Sequence, residues 1–122
     1  MKKEIRVDRR KVDEAAIIDL QGDVNASGEE AIKGAYHAVT EEGAENILFN
    51  LKEAEYINTS GIAVLIGIVM EAQEAKQKVL VYGVSSHYQK IFELVRLPMY
   101  VDMFDTEQAA LASLGIDPEA AQ

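Results

Sequence analysis

The strongest constraint on the fold of this chain is the segment of residues 47 to 76, where a short apolar run leads through a polar turn into a long apolar stretch. The run Ile47-Leu48-Phe49-Asn50-Leu51 predicts a buried strand, and the stretch beyond it has helical spacing from about Ser60 onwards. A strand followed directly by a one-sided helix predicts a helix that lies on a sheet. The apolar positions at i, i+3, i+4 and i+7 are Ile62, Leu65, Ile66 and Val69.

The polar turn between them holds two hydroxyl side chains at the predicted helix start. Asn58, Thr59 and Ser60 are all residue types that cap a helix, and Gly61 would let another backbone approach closely. The first N–H groups of a helix lack internal partners and carry partial positive charge. Added negative charge on Thr59 or Ser60 should therefore be tolerated by the fold.

The N-terminal part predicts an antiparallel hairpin. Ile5 and Val7 alternate with charged residues as in a strand, residues 9 to 14 are charged and predict a loop, and residues 15 to 21 alternate again. Residues 22 to 26 are interpreted as a loop. The hairpin adds antiparallel pairing to a sheet whose later strands are separated by helices, so the sheet should be mixed.

Three more helices are predicted from start signals and apolar spacing. Ser27-Gly28-Glu29-Glu30 and Ser86-His87-Tyr88-Gln89 have the form of capping boxes, and Asp105-Thr106-Glu107-Gln108 opens a last helix. Residues 79 to 82 predict another buried strand, and residues 99 to 104 an edge strand. The expected inward-facing side chains are Ile32, Ala35, Tyr36, Val39, Ile91, Phe92, Leu94, Val95, Ala110, Leu111 and Leu114.

These elements predict one α/β domain over residues 1–115, with a mixed sheet of four to five strands and about four helices, followed by a frayed tail at 116–122. The net charge of −9 argues against binding to nucleic acid or an anionic membrane, since either needs a basic face. No apolar run approaches the roughly 20 residues that span a bilayer, so we expect no membrane insertion and a cytoplasmic location. The chain has no cysteine, so no thiol chemistry is available.

Residues 58–65, Asn58-Thr59-Ser60-Gly61-Ile62-Ala63-Val64-Leu65, resemble the Asp-Ser-Ser-Gly-Leu-Gly-Val-Leu signature of STAS domains, the family of bacterial anti-sigma factor antagonists. Upstream, residues 18–25 are similar to the family's strand that ends in Gly-Glu-Leu-Asp. Downstream, Val81-Tyr82-Gly83 and Leu94-Val95-Arg96-Leu97 stand where the family has its next strand and helix. The resemblance implies a STAS-like fold over most of the chain.

The resemblance also implies a phosphorylation-switched binding protein that is not an enzyme and needs no cofactor. The family's phosphoacceptor follows the Asp of its signature, and Thr59 occupies that slot, with Ser60 as second choice. The implied partners are an anti-sigma factor that is also a GHKL-type kinase, whose binding frees a sigma factor, and a metal-dependent serine/threonine phosphatase that restores the unphosphorylated form. The residues expected to contact the partner are Asp23, Asn25, Ser27, Asn58, Thr59, Ser60 and Gly61.

Two amides depart from the family pattern, because Asn58 and Asn25 stand where the family has Asp. They leave open a second function, that of a non-catalytic STAS subunit in a stress-signalling scaffold or a lipid-transport ATPase complex. An enzyme or ligand-binding domain acting through the same turn is the third and weakest alternative, because no nucleophile, base and orienting group can be assembled around Thr59. His37 and His87 have no second ligand at a metal-binding spacing.

An apolar group towards the C-terminus could form a docking patch if its members were exposed together. They are Tyr56, Met99, Tyr100, Met103 and Phe104.

Overall fold

The computed structural model describes residues 4–117, which form six strands and four α-helices. The strands are β1 (Arg6–Val12), β2 (Ala15–Val24), β3 (Asn46–Asn50), β4 (Ala54–Ile57), β5 (Lys78–Tyr82) and β6 (Asp102–Phe104). The helices are α1 (Glu29–Glu41), α2 (Thr59–Glu74), α3 (Ser86–Leu94) and α4 (Glu107–Ser113). The predicted single α/β domain with a mixed sheet is confirmed, with one strand more than expected.

The sheet has the order β1-β2-β3-β5-β6, and β4 pairs with the C-terminal end of β2. Only β1 is antiparallel to its neighbour, while β2, β3, β5 and β6 run parallel. Helical crossovers therefore carry the chain back, so that these parallel strands all start at the same end of the sheet. As a result, the loops that follow β2, β4 and β5 all leave from one end of the domain.

The alternation of side chains along the central strands divides the core into two clusters. Ile18 belongs to the larger one, which α1, α2 and α3 cover, and its neighbour Ile17 belongs to the smaller one beneath α4. Both are fully buried. Ile116, at the start of the predicted tail, is buried in the smaller cluster, and the tail from residue 118 lies outside the described residues.

The hairpin and the fourth strand differ from the sequence-based interpretation. β1 continues through most of the predicted loop, so that the turn is reduced to Asp13 and Glu14. β2 likewise continues to Val24, because its last residues pair with β4 in parallel register across a bulge at Gly22/Asp23. β4 was not predicted, since Glu55 and Tyr56 in its centre are exposed and leave no apolar alternation to detect.

Both predicted capping boxes are wrong. Ser27 lies inside a short 3₁₀ helix that Asn25 caps, and α1 then begins after Gly28, which has no side-chain cap. In α3 the capping residue is Ser85, one position earlier than predicted, and its hydroxyl accepts from the Tyr88 N–H. A continuing 3₁₀ turn and a neighbouring serine offered better partners for these N–H groups than the predicted positions.

The predicted inward side of α3 is wrong in its last turn. Phe92 is fully buried, but Leu94 is 81% exposed and Val95 42% exposed. The helix ends at Leu94 and the chain turns at Arg96, which has a left-handed backbone conformation with φ +62°. That turn carries Leu97 into the core in place of Leu94 and Val95.

Candidate functional site

The segments expected to contact a partner meet at the carboxyl ends of β2 and β4. Val24 and Ile57 are the last residues of these strands and are register partners in a parallel pair. The backbone N–H of Asn58 donates to the Val24 carbonyl oxygen at 3.2 Å, which continues the pairing by one residue. The loop after β2 and the start of α2 are therefore held side by side.

Gly61 makes this close approach possible. A β-carbon at Gly61 would lie 2.1 Å from the carbonyl oxygen of Val24, far inside van der Waals contact. The expectation that Gly61 lets another backbone come near is thus confirmed, and the group concerned is the end of β2.

Asn58 is the N-cap of α2, as its residue type predicted. Its backbone is extended, and its side-chain oxygen accepts from the Gly61 N–H at 2.8 Å and from the Ser60 hydroxyl at 2.7 Å. Both bonds use only the oxygen, which an amide and a carboxylate share. Replacing the family's Asp by Asn58 therefore preserves the cap and removes only its negative charge.

The two hydroxyls at the helix start have different surroundings. The Ser60 hydroxyl donates to Asn58 and also accepts from the Ala26 N–H at 3.0 Å, so it links α2 to the loop after β2. Thr59 is exposed, and its side chain makes no hydrogen bond with residues 4–117. Of the two hydroxyls, that of Thr59 is accessible and unengaged, whereas that of Ser60 is part of the fold.

The loop after β2 is ordered by a second asparagine. The side-chain oxygen of Asn25 accepts from both the N–H and the hydroxyl of Ser27, which starts the 3₁₀ helix. Asp23 precedes it, half-buried and opposite Tyr56 in the β2–β4 pair. The seven residues predicted as partner contacts are thus brought to one edge of the domain, where Tyr56, 58% exposed, lies beside them.

The charge at the Thr59 edge comes from the start of α2, from two amides and from Asp23. The first turn of α2 contains no acidic side chain, and the N-terminal end of the helix carries partial positive charge. The two nearest family carboxylate positions are occupied by Asn25 and Asn58. The helix start therefore favours a negative group on Thr59, and Asp23, the one carboxylate among the seven residues of this edge, acts in the opposite sense.

One residue that the sequence analysis did not single out positions this edge. The hydroxyl of Tyr88 in α3 accepts from the Ile57 N–H at 2.9 Å, directly before the Asn58 turn. Tyr88 is 9% exposed, so α3 supports the end of β4 from within the core. A tyrosine in an amphipathic helix is a weak signal, because the sequence does not show which polar group its hydroxyl will reach.

A separate polar cluster lies on the other face of the sheet, where α4 packs. Arg10 donates two hydrogen bonds to Asp19, at 2.7 and 2.9 Å, and one to Glu107 at 2.7 Å. Burial alone would raise the pKa of Asp19, but the hydrogen bonds from Arg10 and Asn50 outweigh it and hold that pKa below its usual value. The pKa of Glu107 is lowered in the same way by Arg10 and Tyr82. The cluster joins β1, β2 and α4 and has the character of a structural network.

Within residues 4–117 no three His, Asp or Glu side chains stand close enough together to hold a metal ion. His37 instead pairs with Glu71, at 2.9 Å between Nε2 and Oε1. No helix in this range has the length and apolar character needed to cross a bilayer.

The apolar patch predicted from five residues is divided by the fold. Met103 and Phe104 are half-buried on opposite faces of the sheet, and Tyr56 lies at the Thr59 edge. Met99 and Tyr100 are exposed, 70% and 42%, in the connection between α3 and β6.

Comparison with known proteins agrees with this architecture. A protein of Bordetella bronchiseptica named as a candidate anti-sigma factor antagonist, BtrV, is 21% identical over 103 residues, which are 84% of this chain and 89% of that protein. An anti-sigma factor antagonist from Mycobacterium paratuberculosis superposes with a TM-score of 0.80 at 15% identity, over 92% of this chain and 95% of the other. The Bacillus cell fate determinant SpoIIAA in its phosphorylated form superposes with a TM-score of 0.69 at 20% identity, over 91% and 99%.

The model of the STAS domain family matches residues 6–110, which include every strand and the site described above. The chain therefore belongs to the STAS domain family.

Proposed function

We propose that this chain is an anti-sigma factor antagonist that binds its partner through the edge formed by residues 23–27 and 58–61 and is released when Thr59 is phosphorylated. The observation that carries the proposal is the difference between the two hydroxyls at the start of α2. Ser60 is engaged in two hydrogen bonds, whereas Thr59 is exposed and makes none with the described residues. A kinase can reach Thr59 without opening the fold, and SpoIIAA is a relative whose phosphorylated form has been solved.

Phosphorylation would change binding rather than folding. It adds ≈ −1.5 to −2 charge at pH 7, which the end of α2 accommodates while it faces water. In a desolvated interface the same charge is costly, and an interface weakened by roughly 3 to 4 kcal/mol loses several hundred-fold in affinity. The proposed partner is an anti-sigma factor of the GHKL kinase type, so the protein that is bound also ends the binding.

The two asparagines make the phosphorylated form easier to accommodate. The side-chain oxygen of Asn58 is used in capping, while its NH₂ group makes no hydrogen bond with the described residues and can donate to an anion. An aspartate at position 58 would instead place a like charge next to the phosphate. We infer that a metal-dependent serine/threonine phosphatase is required to return the chain to its binding form.

A series of variants that separates the effect of charge from that of shape tests the switch. Thr59→Asp and Thr59→Asn have nearly the same shape but differ in charge, and Ser113→Asp places the same charge at the exposed end of α4, on the other face of the sheet, as a control. With a GHKL-type kinase from the same genome as partner, we expect Thr59→Asp to bind at least about tenfold more weakly than Thr59→Asn, with Ser113→Asp close to wild type. Equal affinities of the two Thr59 variants would rule out the switch. Mass spectrometry after incubation with ATP and the kinase should find the phosphate on Thr59 and none on Ser60.

The second candidate function is a non-catalytic subunit of a signalling scaffold or a transport ATPase complex, and Asn58 is the observation that favours it. An amide in place of the family's Asp fits a site that has kept its cap and does not need a carboxylate for phosphate transfer. Affinity purification of the chain from its own cells discriminates between the two. A GHKL-type kinase bound to wild type and lost with Thr59→Asp supports the switch, whereas an ATPase retained by both supports the subunit.

A further inference from the structure

The exposed large apolar side chains of this protein are concentrated in one short segment. Among residues 4–117 five large apolar residues are exposed, and four of them, Leu94, Val95, Met99 and Tyr100, fall within residues 94–100. Single apolar residues scattered over a surface are ordinary, but a cluster usually marks an interaction site. We name this segment, which includes Arg96, together with the neighbouring Lys76 and Lys78, the basal surface.

The backbone of the basal surface is fixed. Leu97, in the middle of the segment, is only 3% exposed and anchors it in the core. The N–H groups of Tyr100 and Val101 donate to the Leu97 carbonyl, and Gln73 at the end of α2 donates from its side chain to the Tyr100 carbonyl at 3.2 Å. The apolar side chains thus extend from an ordered turn, so binding of a ligand would cost little free energy for ordering the backbone of that turn.

The basal surface lies at the opposite end of the domain from Thr59. Helix α2 starts at Thr59 and has 16 residues, which corresponds to a length of about 24 Å. Its far end contributes Gln73 to the basal surface, and α3, which runs the same way, contributes Leu94. A ligand here can bind while the Thr59 edge is occupied or phosphorylated.

The charge of the basal surface differs from that of the chain. Met99 and Tyr100 line a cleft of about 290 Å³ together with Lys76 and Lys78. The cleft contains one carboxylate, Asp102, which stands 3.8 Å from Lys78. Lys76 and the nearby Arg96 make no ion pair with residues 4–117. In a chain with a net charge of −9, two cations that have no ion-pair partner among the described residues, beside exposed apolar side chains, favour an acidic ligand.

We propose that the basal surface binds an acidic segment of another protein, whose apolar side chain enters the cleft at Met99 and Tyr100 while its carboxylates face Lys76 and Arg96. This contact is independent of the phosphorylation state of Thr59. It would keep the protein attached to a second component while the Thr59 edge exchanges partners. The binding site itself does not depend on the proposed function, since it uses none of the residues near Thr59, whereas its role during partner exchange rests on that function.

Selection from a display library of short random peptides tests the proposal. The wild-type chain is the bait, and peptides that also bind Met99→Ser are discarded. We expect the remaining peptides to carry net negative charge and an aromatic or aliphatic residue. Their amide shift changes in NMR titration should map to residues 73–78 and 94–102. Basic or uncharged peptides, shift changes at residues 58–61, or no peptide that distinguishes the two baits would each overturn it.

Matched variants complete the test with an enriched peptide as probe. Lys76→Glu and Met99→Ser should each weaken binding by about tenfold, as expected for central contacts. Lys52→Glu and Tyr56→Ser, which change an exposed cation and an exposed aromatic elsewhere, should leave it unchanged, as should Thr59→Asp. Weakening by the Lys52, Tyr56 or Thr59 variant would contradict the proposed location. A dimer in sedimentation velocity that Met99→Ser dissociates would also overturn the proposal, since the occupant would then be a second copy of the chain.

Discussion

The carbonyl oxygen of Val24 occupies the space that a β-carbon on Gly61 would need, with 2.1 Å between the two positions. This contact brings the end of β2 against the first turn of α2. The same carbonyl accepts the Asn58 N–H, so a displacement of β2 would also break that hydrogen bond.

Gly61→Ala is therefore expected to destabilise the protein by about 2 to 4 kcal/mol, in spite of the better helix propensity of alanine. The matched control is Gly67→Ala in the middle of α2, where nothing lies within 4 Å of the added carbon. That substitution should stabilise by about 0.5 to 1 kcal/mol. Urea unfolding of the two variants gives both values, and a Gly61 variant as stable as wild type would show that the contact is not rigid.

The sequence predicted the helix positions at which the spacing of apolar residues alone determines which side chains are buried. The 3.6-residue spacing in α2 located most of its buried face, because Ile62, Leu65 and Val69 lie in the body of the helix, well before the left-handed turn at Lys76 that follows it. The spacing failed at Leu94 and Val95, since the left-handed turn at Arg96 redirects the chain after one further residue. No local pattern contains that turn, because it is favoured by the burial of Leu97.

The sequence predicted which residues lie together at the Thr59 edge, but not the hydrogen bonds between them. The resemblance placed Thr59 and Ser60 side by side without a physical reason to separate them. The distinction comes from the hydrogen bond between Ser60 and Ala26, which are 34 positions apart in sequence. Such contacts depend on the pairing of β2 with β4. The apolar pattern did not predict β4, because the side chains at its centre are exposed.

Ser60→Ala should destabilise the fold more than Thr59→Ala. The first substitution leaves the Ala26 N–H without its acceptor and removes one donor to Asn58, which together correspond to about 1 to 2 kcal/mol. The second removes an exposed hydroxyl that makes no hydrogen bond with residues 4–117 and should stay within about 0.5 kcal/mol of wild type. Thermal unfolding of the pair measures the difference, and equal losses would mean that Ser60 does not link α2 to the loop.

Asn58→Asp should stabilise the unphosphorylated protein and lose that benefit when Thr59 is charged. An aspartate keeps the cap oxygen and adds negative charge at the start of a helix, a gain of about 0.3 to 1 kcal/mol at low salt. In the Thr59→Asp background the two adjacent carboxylates repel each other. We expect a positive coupling free energy of about 0.5 kcal/mol or more in a double-mutant cycle, decreasing as salt is added. Strict additivity of the two substitutions would contradict the proposed field around Thr59.

Arg10 should determine how the stability of the domain depends on acidity. Its guanidinium holds the pKa values of Asp19 and Glu107 below their ordinary values of 3.8 and 4.5, against the effect of burial. A carboxyl whose pKa is lower in the folded than in the unfolded state stabilises the fold above its ordinary pKa. That contribution is lost as the pH falls through the ordinary value towards the folded one.

Arg10→Met leaves both carboxylates partly buried without their cation, and should destabilise the protein by about 1 to 3 kcal/mol at neutral pH. Because protonated carboxyls no longer need the guanidinium, the free energies of unfolding of wild type and variant should converge below the ordinary values of 3.8 and 4.5. Arg9→Met is the control, since Arg9 pairs with Glu42 at 3.5 Å between two exposed side chains. Its effect should stay within about 0.5 kcal/mol at every pH. Urea unfolding across the acidic range tests both variants, and a gap between wild type and Arg10→Met that stays constant with pH would show that the two carboxyls titrate independently of Arg10.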